Sequence, residues 1–342
     1  MEETRDMVID PAVLAAERTV VEYSGADVSG PLRALGLTVH PFAEPAEPTA
    51  QALQAAIIAQ QAVLIRGLAG HWPALTEWTP SRLAARYGST LVNPLIGLPS
   101  RGILFPHDQR RYQQTMLLAQ FIEEMLSASP QTPSYLAYTR AQDMLSASDH
   151  DCAGLLGDLG TDPDTRAWIG SAGTRSMLHS DLKDNIFCQI WGRKHIVLIP
   201  WSQSRAAYPF PENIVNSRLD LAEPDLERHP RLRGTSLYAG VLEAGDVLYI
   251  PRGYWHDIRS LTPSVSLNHW FGPPLGLRDY LPLIAQLGPR CWLATARDFI
   301  RSGLLGRNET VNFFFSPPST GKRLFDALRW GNFSRSNDPV SS

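Results

Sequence analysis

Apolar residues keep two different rhythms along this chain. Before about residue 160 they recur at helical spacing. Ala50 to Gln61 predicts a helix running into a short apolar strand, "AVLIRG". "WTPSRLAARYG" predicts a second helix, with Thr79 as N-cap, Pro80 in the first turn and Gly88 as the stop. "QTMLLAQFIEEMLS" (114–127) predicts a third helix and "PSYLAYTR" (133–140) a strand. From about residue 165 short apolar or alternating runs follow one another: "TRSMLHSD", "NIFCQIWG", "HIVLIPW", "TSLYAGVLEAGDVLYIPRG" and "SVSLNHWFG". Between them "WGRK" suits a tight hairpin and "EAGD" a turn. Helical spacing returns after Gly272 in "LRDYLPLIAQLG", "CWLATARDFIRSGLLG" and "GKRLFDALRW". Many short strands punctuated by Gly and Pro predict a mostly β protein, a sandwich or jelly-roll barrel with helices packed before and after it.

The ends and one interior stretch break this pattern. Residues 1–30 are polar and predict a flexible N-terminus, and 331–342 read as a disordered tail. Residues 31–272 then form the main domain, with its barrel core at about 133–272, and 273–330 form a C-terminal helical region. Residues 202–240 are a long, mostly polar insertion between strands, a length that is usually functional or disordered.

Composition narrows the class. A chain of 342 residues with 44% hydrophobic and 19% charged residues is ordinary for a globular protein, and its net charge of −3 gives no general pull toward nucleic acid or anionic membrane. Cys152, Cys188 and Cys291 are scattered and form no CxxC pair, which points to a reducing cytoplasm. "MEETRDMVID" lacks the basic start and apolar core of a signal peptide. The most apolar stretch, "QALQAAIIAQQAVLIRG", is interrupted by Gln at four positions, so no membrane span is expected.

The candidate chemistry starts at "HSD". On a strand His179 and Asp181 point one way and Ser180 the other, so a single strand can offer two ligands to one metal ion. A third is expected from a neighbouring strand, and His256, after the "GDVLYIP" run, is the candidate. Two imidazoles and one carboxylate leave coordination positions open, as in non-haem Fe(II) oxygenases, and the absence of thiolate argues against structural zinc. Lys194 counts onto the same strand face as Ile196 and Leu198, where a cation is costly unless an anion meets it. Taken singly, an HxD pair, a core histidine or a turn lysine is commonplace. The joint pattern is not.

"HSDLKDNIFCQIWGRKHIVLIPW", "GDVLYIPRGYWHDIRSL" and "SLNHWF" together resemble the JmjC-type, cupin-like Fe(II)/2-oxoglutarate oxygenases. Within them the set looks most like the branch holding the asparaginyl hydroxylase that inhibits the hypoxia-inducible factor and the tRNA wybutosine hydroxylase. The resemblance is strong over about 173–272, weaker upstream in "AVLIRGLAGHWPALTEWTPSRLAARYG", and reduced to helical character after 275. It implies a double-stranded β-helix core with His179, Asp181 and His256 as metal ligands and Lys194 holding the distal carboxylate of 2-oxoglutarate. Ser176, where the family often has Thr, and Tyr135 would be its hydroxyl helpers. Asn185 and Asn268 occupy positions of amides near the cosubstrate, and Trp270 that of an adjacent aromatic. The implied cofactors are Fe(II), 2-oxoglutarate as cosubstrate and O2, with no catalytic residue needed beyond the metal centre.

The expected function is thus a dioxygenase hydroxylating a peptide or protein side chain or a small metabolite, with release of succinate and CO2. N-methyl-lysine demethylation by the same chemistry, a non-catalytic metal- or ligand-binding cupin, and a Zn or Mn hydrolase or isomerase are the alternatives. Among partners, membrane is excluded and nucleic acid disfavoured, with tRNA left open. The apolar C-terminal helices suggest a homodimer, and Arg101, Arg110 and Arg111 in the 95–114 stretch offer a basic surface for an acidic partner.

Overall fold

A computed structural model of the chain describes residues 11–20, 22–102, 109–307 and 318–330. Among the described residues thirteen strands are formed: β1 (Val39–His40), β2 (Val63–Ile65), β3 (Leu91–Val92), β4 (Met116–Leu117), β5 (Tyr135–Arg140), β6 (Asp164–Gly170) and β7 (Arg175–Ser180) come first. β8 (Asp184–Trp191), β9 (Lys194–Ile199), β10 (Leu237–Leu242), β11 (Val247–Ile250), β12 (Trp255–Ser260) and β13 (Ser264–Phe271) follow. One sheet runs β1-β10-β9-β12-β7 and the other β2-β11-β8-β13-β6-β5, while β3 and β4 pair separately. Apart from the parallel pair β1–β10, the ladders of both sheets are antiparallel. The jelly-roll core is therefore as expected.

The hairpin expected at "WGRK" does not form. β8 pairs with β11 and β13, whereas β9 pairs with β10 and β12, so the chain crosses from one sheet to the other at this point. Both sides of β8 are already taken, which leaves no edge for β9. Gly192 makes the crossing at φ 73°, where a Cβ would stand 2.1 Å from the Pro263 carbonyl oxygen. "EAGD" likewise carries the chain between sheets, from β10 to β11.

Alternation along the strands gives each sheet two buried faces. Ile186, Cys188 and Ile190 of β8, with Val265 and Leu267 of β13, pack outward against the helices Ala50–Ala59, Leu118–Ser127 and Cys152–Leu156. Phe187, Leu248, Ile196, Leu198 and Ile258 point between the sheets and close the interior at one end. Helix Ala50–Ala59 starts where Thr49 Oγ1 accepts from the Ala52 amide at 3.2 Å, and helix Pro80–Tyr87 starts at the expected Thr79 cap.

The expected flexible N-terminus is corrected over its described part, and of the two outcomes open for the 202–240 insertion the ordered one is found. Residues 11–30 include helix Pro11–Arg18 and bury Val13, Ala26 and Val28; their polarity hid the few apolar residues that dock. Residues 1–10 and the 331–342 tail lie outside the described residues. The 202–240 insertion is also built into the fold. Leu219, Leu221 and Leu232 cover the outer face of β7, β9 and β12, and the Ser180 amide donates to Val215 O at 2.8 Å along the edge of β7. Ile214 and Val215 then pack on the C-terminal helices Leu277–Leu287 and Pro289–Asp298, whose apolar faces are in part used within the chain. In the 95–114 stretch, Arg101 pairs with Glu223 at 3.0 Å, and residues 103–108 lie outside the described residues.

Candidate metal and ligand-binding site

β7 and β12 are adjacent, and their register sets His179 opposite His256. His256 thus lies near the start of a strand of its own, not at the end of the "GDVLYIP" run. The ring centroids of the two histidines are 4.1 Å apart. Asp181 completes the group: its Oδ1 is 3.9 Å from His179 Nε2 and its Oδ2 is 3.5 Å from His256 Nε2. One ligand atom from each residue lies within 4.8 Å of the others, a spacing that can hold a metal ion.

Hydrogen bonds orient these rings. Nδ1 of His179 donates to Met177 O at 2.6 Å and Nδ1 of His256 to Tyr254 O at 3.1 Å. Each bond fixes the tautomer that leaves Nε2 with a free lone pair toward Asp181. Burial, then the neighbouring His179, push His256 down to about 4, so its imidazole is neutral at ordinary pH. The donor set, two neutral nitrogens and one carboxylate, fits a ferrous ion. Trp270 is placed differently from the expectation of an aromatic beside the cosubstrate alone: its Nε1 donates to Asp181 Oδ2 at 2.7 Å and holds that carboxylate.

Lys194 opens β9 and faces the interior with Ile196 and Leu198. It is 1% exposed, its Nζ donates to Ser266 Oγ at 2.7 Å, and no acid pairs with it among the described residues. Burial lowers its pKa to about 7. Around it stand the rings of Phe187 and Tyr135, with centroids 5.5 and 5.9 Å from Nζ.

Ser176 joins this group because of a bulge. A step of three along a regular strand would turn it away from His179, but the β7–β12 register shifts between His256 and Ile258, so Ser176 faces the inward-pointing Ile258. Its Oγ is 3.4 Å from Tyr135 Oη. Asn185 and Asn268 alternate with outward residues of β8 and β13 and so face the interior. Both amide atoms of Asn185, and Oδ1 of Asn268, are buried with no hydrogen-bond partner among the described residues. Buried polar groups rarely stay unpaired, which marks the chamber as polar and built for a ligand or water. All nine residues singled out from the sequence therefore converge between the sheets.

Sequence reasoning missed Ser266, and also the strand Asp164–Gly170, whose Arg166 and Trp168 point to the same side as the site. It missed as well a buried ion network behind the ligand strands. Arg259 binds Asp257 (2.6 and 3.1 Å) and Asp220 (2.8 Å), and Asp220 also receives Arg175 at 2.9 Å. Arg175 on β7 and Arg259 on β12 follow the plain strand alternation, but nothing in the sequence marks Asp220, inside the insertion, as their partner.

The profile of the cupin-like domain family matches residues 49–276. The chain is 31% identical over 222 residues to lysine-specific demethylase 8 of Xenopus tropicalis, covering 63% of this chain and 49% of the relative. It is 32% identical over 220 residues to lysine-specific demethylase JMJ30 of Arabidopsis thaliana (61% and 49%). It is 29% identical over 225 residues to Jumonji C domain-containing protein 5 of Drosophila melanogaster (62% and 55%). The chain spans about half the length of these relatives. Their names support the JmjC assignment and not the narrower likeness to the asparaginyl and wybutosine hydroxylases. Strand order, inward-facing triad and sequence match agree: the chain belongs to the cupin-like domain family.

Proposed function

We propose that this protein is an Fe(II)- and 2-oxoglutarate-dependent oxygenase acting on a C–H bond of a protein substrate. One observation carries the reading. The His179–Asp181–His256 group and the acid-free, buried ammonium of Lys194 open into the same space between the sheets. His179, Asp181 and His256 would hold the iron, and Lys194, Ser176 and Tyr135 the far carboxylate of 2-oxoglutarate. Asn185, Asn268 and Trp270 would line the near side. Bound iron supplies oxidation of the substrate by O2, coupled to decarboxylation of 2-oxoglutarate to succinate and CO2. The protein's own groups position and shield, and none acts as acid, base or nucleophile.

The names of the relatives support oxidation of an N-methyl-lysine, which releases formaldehyde, ahead of hydroxylation that stays on the substrate. Hydroxylation of an uncharged side chain is the second reading, favoured by a cation of this chain, Arg166, already set on an aromatic ring beside the site. Anaerobic Fe(II) with 2-oxoglutarate should give a weak visible charge-transfer band, and succinate release should vanish in His179→Ala. A band without succinate under O2, across methylated and unmodified peptides, would favour a non-catalytic cupin. Formaldehyde against a +16 mass product separates the two reactions.

Two further parts of the reading concern surroundings. Leu281, Trp292, Leu293, Ile300 and Leu304 are exposed on the C-terminal helices and would carry a homodimer, which light scattering after gel filtration tests. The three cysteines are free and buried, in keeping with a reducing compartment, and no helix among the described residues is long and apolar enough to cross a membrane.

A further inference from the structure

A cavity of about 120 Å³ lies on the outer side of the β7–β12 pair, away from the chamber between the sheets. Its floor holds Arg175 and Arg259, which face each other in the register of the two strands. Its walls come from Tyr23 and Gly25 of the N-terminal segment, from Ser100 and Arg101, and from Glu223 of the insertion. Gly25 shapes the first wall: a Cβ there would stand 2.8 Å from Tyr23 Oη, so its absence lets the phenol fold back along the cavity. The second wall is tied to the floor, because Arg175 Nη2 donates to the carbonyls of Pro99 and Gly102.

The floor has donors to spare. The side chains of Arg259 and Arg175 are only 5% and 2% exposed. Asp257 and Asp220 take Nε and Nη2 of Arg259, and its Nη1 has no partner among the described residues. Nε of Arg175 is likewise buried without a partner there. Buried donors are seldom left in this state, since each forfeits its hydration. Asp220 and Asp257 make the network neutral as a whole, but neither lines the cavity, so cationic ends face it. Glu223 is the one acid in the described wall, and Arg101 already holds it at 3.0 Å. Burial lowers the Arg175 pKa; Asp220 opposes this, and the charge of Arg259 adds to it. What the two guanidiniums lack is negative charge on the cavity side.

We propose that this cavity is a binding site for a phosphate-type oxyanion, seated on Nη1 of Arg259 and held from the rim by Arg101, Ser100 Oγ and Tyr23 Oη. Donors that converge from a floor and two walls suit a tetrahedral anion better than a planar carboxylate, and guanidinium is well matched to phosphate oxygens. The bound anion ties the N-terminal segment and the 99–102 loop to the two strands that carry His179 and His256. The site is separate from the chamber and independent of the oxygenase chemistry.

In the test, inorganic phosphate is titrated calorimetrically into the full chain at constant ionic strength, with acetate as the planar anion and sodium chloride as the balancing salt. Phosphate should bind, and acetate more weakly. Glu223→Gln removes the acid that competes for Arg101 and should bind phosphate about threefold tighter; Arg101→Gln should bind it about threefold weaker, the scale of an exposed ion pair. Arg259→Gln should weaken binding about tenfold or more. Lys194 in the chamber is the competing place for an anion, so Lys194→Met should keep the phosphate affinity of the unaltered protein. No detectable phosphate binding, acetate binding as strong as phosphate, or equal affinity across the Glu223 and Arg101 variants would overturn the proposal. So would loss of binding in Lys194→Met, which would put the anion in the chamber. If Arg259→Gln does not fold, the exposed positions Glu223 and Arg101 decide the matter alone.

Discussion

Lys194 Nζ donates to Ser266 Oγ across the sandwich at 2.7 Å, a bond whose acceptor carries no charge to balance the ammonium. Among the described residues the buried ammonium is therefore compensated by dipoles only. Its lowered pKa follows from that deficit, and so do the first two predictions.

Replacing Lys194 with Met removes the charge and keeps the length. The ligand-free protein should melt higher, because an uncompensated buried cation gives way to an apolar chain. Affinity for 2-oxoglutarate should fall about 10–100-fold, the worth of a charge-assisted hydrogen bond. Calorimetric melting and titration measure both. A variant that binds 2-oxoglutarate as the unaltered protein does would remove Lys194 from the proposed role.

The pH dependence has a definite sign. Lys194 titrates near 7 in the ligand-free protein and near its ordinary value when unfolded, so between these the unfolded chain binds more protons. Stability of the ligand-free protein should then rise with pH across that window. Binding of 2-oxoglutarate requires the charged form, so above pH 7 it takes up a proton and weakens by about tenfold per pH unit. Lys194→Met should flatten this slope, and titration in buffers of different ionisation enthalpy would count the proton.

Trp270→Phe keeps the ring and deletes the hydrogen bond to Asp181. Loss of such a support is expected to weaken metal binding about 10–100-fold, against near-complete loss for His179→Ala. Co(II) titration, followed by its visible absorption, reads this without turnover. Unchanged Co(II) affinity in Trp270→Phe would show that Asp181 needs no such support.

Asp220→Ala strips Arg175 and Arg259 of their shared partner. Breaking a buried pair of this kind costs about 3–5 kcal/mol, so the variant should unfold at markedly lower urea. Burial alone would raise the Asp220 carboxyl; Arg259 and Arg175 outweigh it and hold the group below the usual carboxylate range. That contribution is present at neutral pH and is lost as pH falls through the lowered value, so the unaltered protein should lose it in acid while Asp220→Ala should not.

Legibility differed from element to element for physical reasons. β9 was readable because every residue in "KHIVLI" is buried, and the lone Lys stood out against apolar neighbours. The Thr79 and Pro80 start of its helix was readable because capping is local chemistry. Which strands pair was not, since "WGRK" has hairpin composition and only the occupied flanks of β8 force the crossing. His256 was found by residue type, yet its strand was not, because "WHDIRS" buries polar residues on both faces and shows no apolar alternation. Ser176 came from the family resemblance. The bulge that turns it inward leaves no trace in the local sequence.

The crossing at Gly192 has a consequence for how the protein comes into being. His179 and His256 sit on one layer, while Ser266, Asn185 and Trp270 sit on the other, and the chain visits the layers in turn. The two ligand histidines lie on one layer and Trp270, which holds the Asp181 carboxylate, lies on the other, so the metal site should be complete only after the layers have closed. Assembly through such distant pairings is slow. A pulse of metal during refolding should therefore register last, after tryptophan burial is complete.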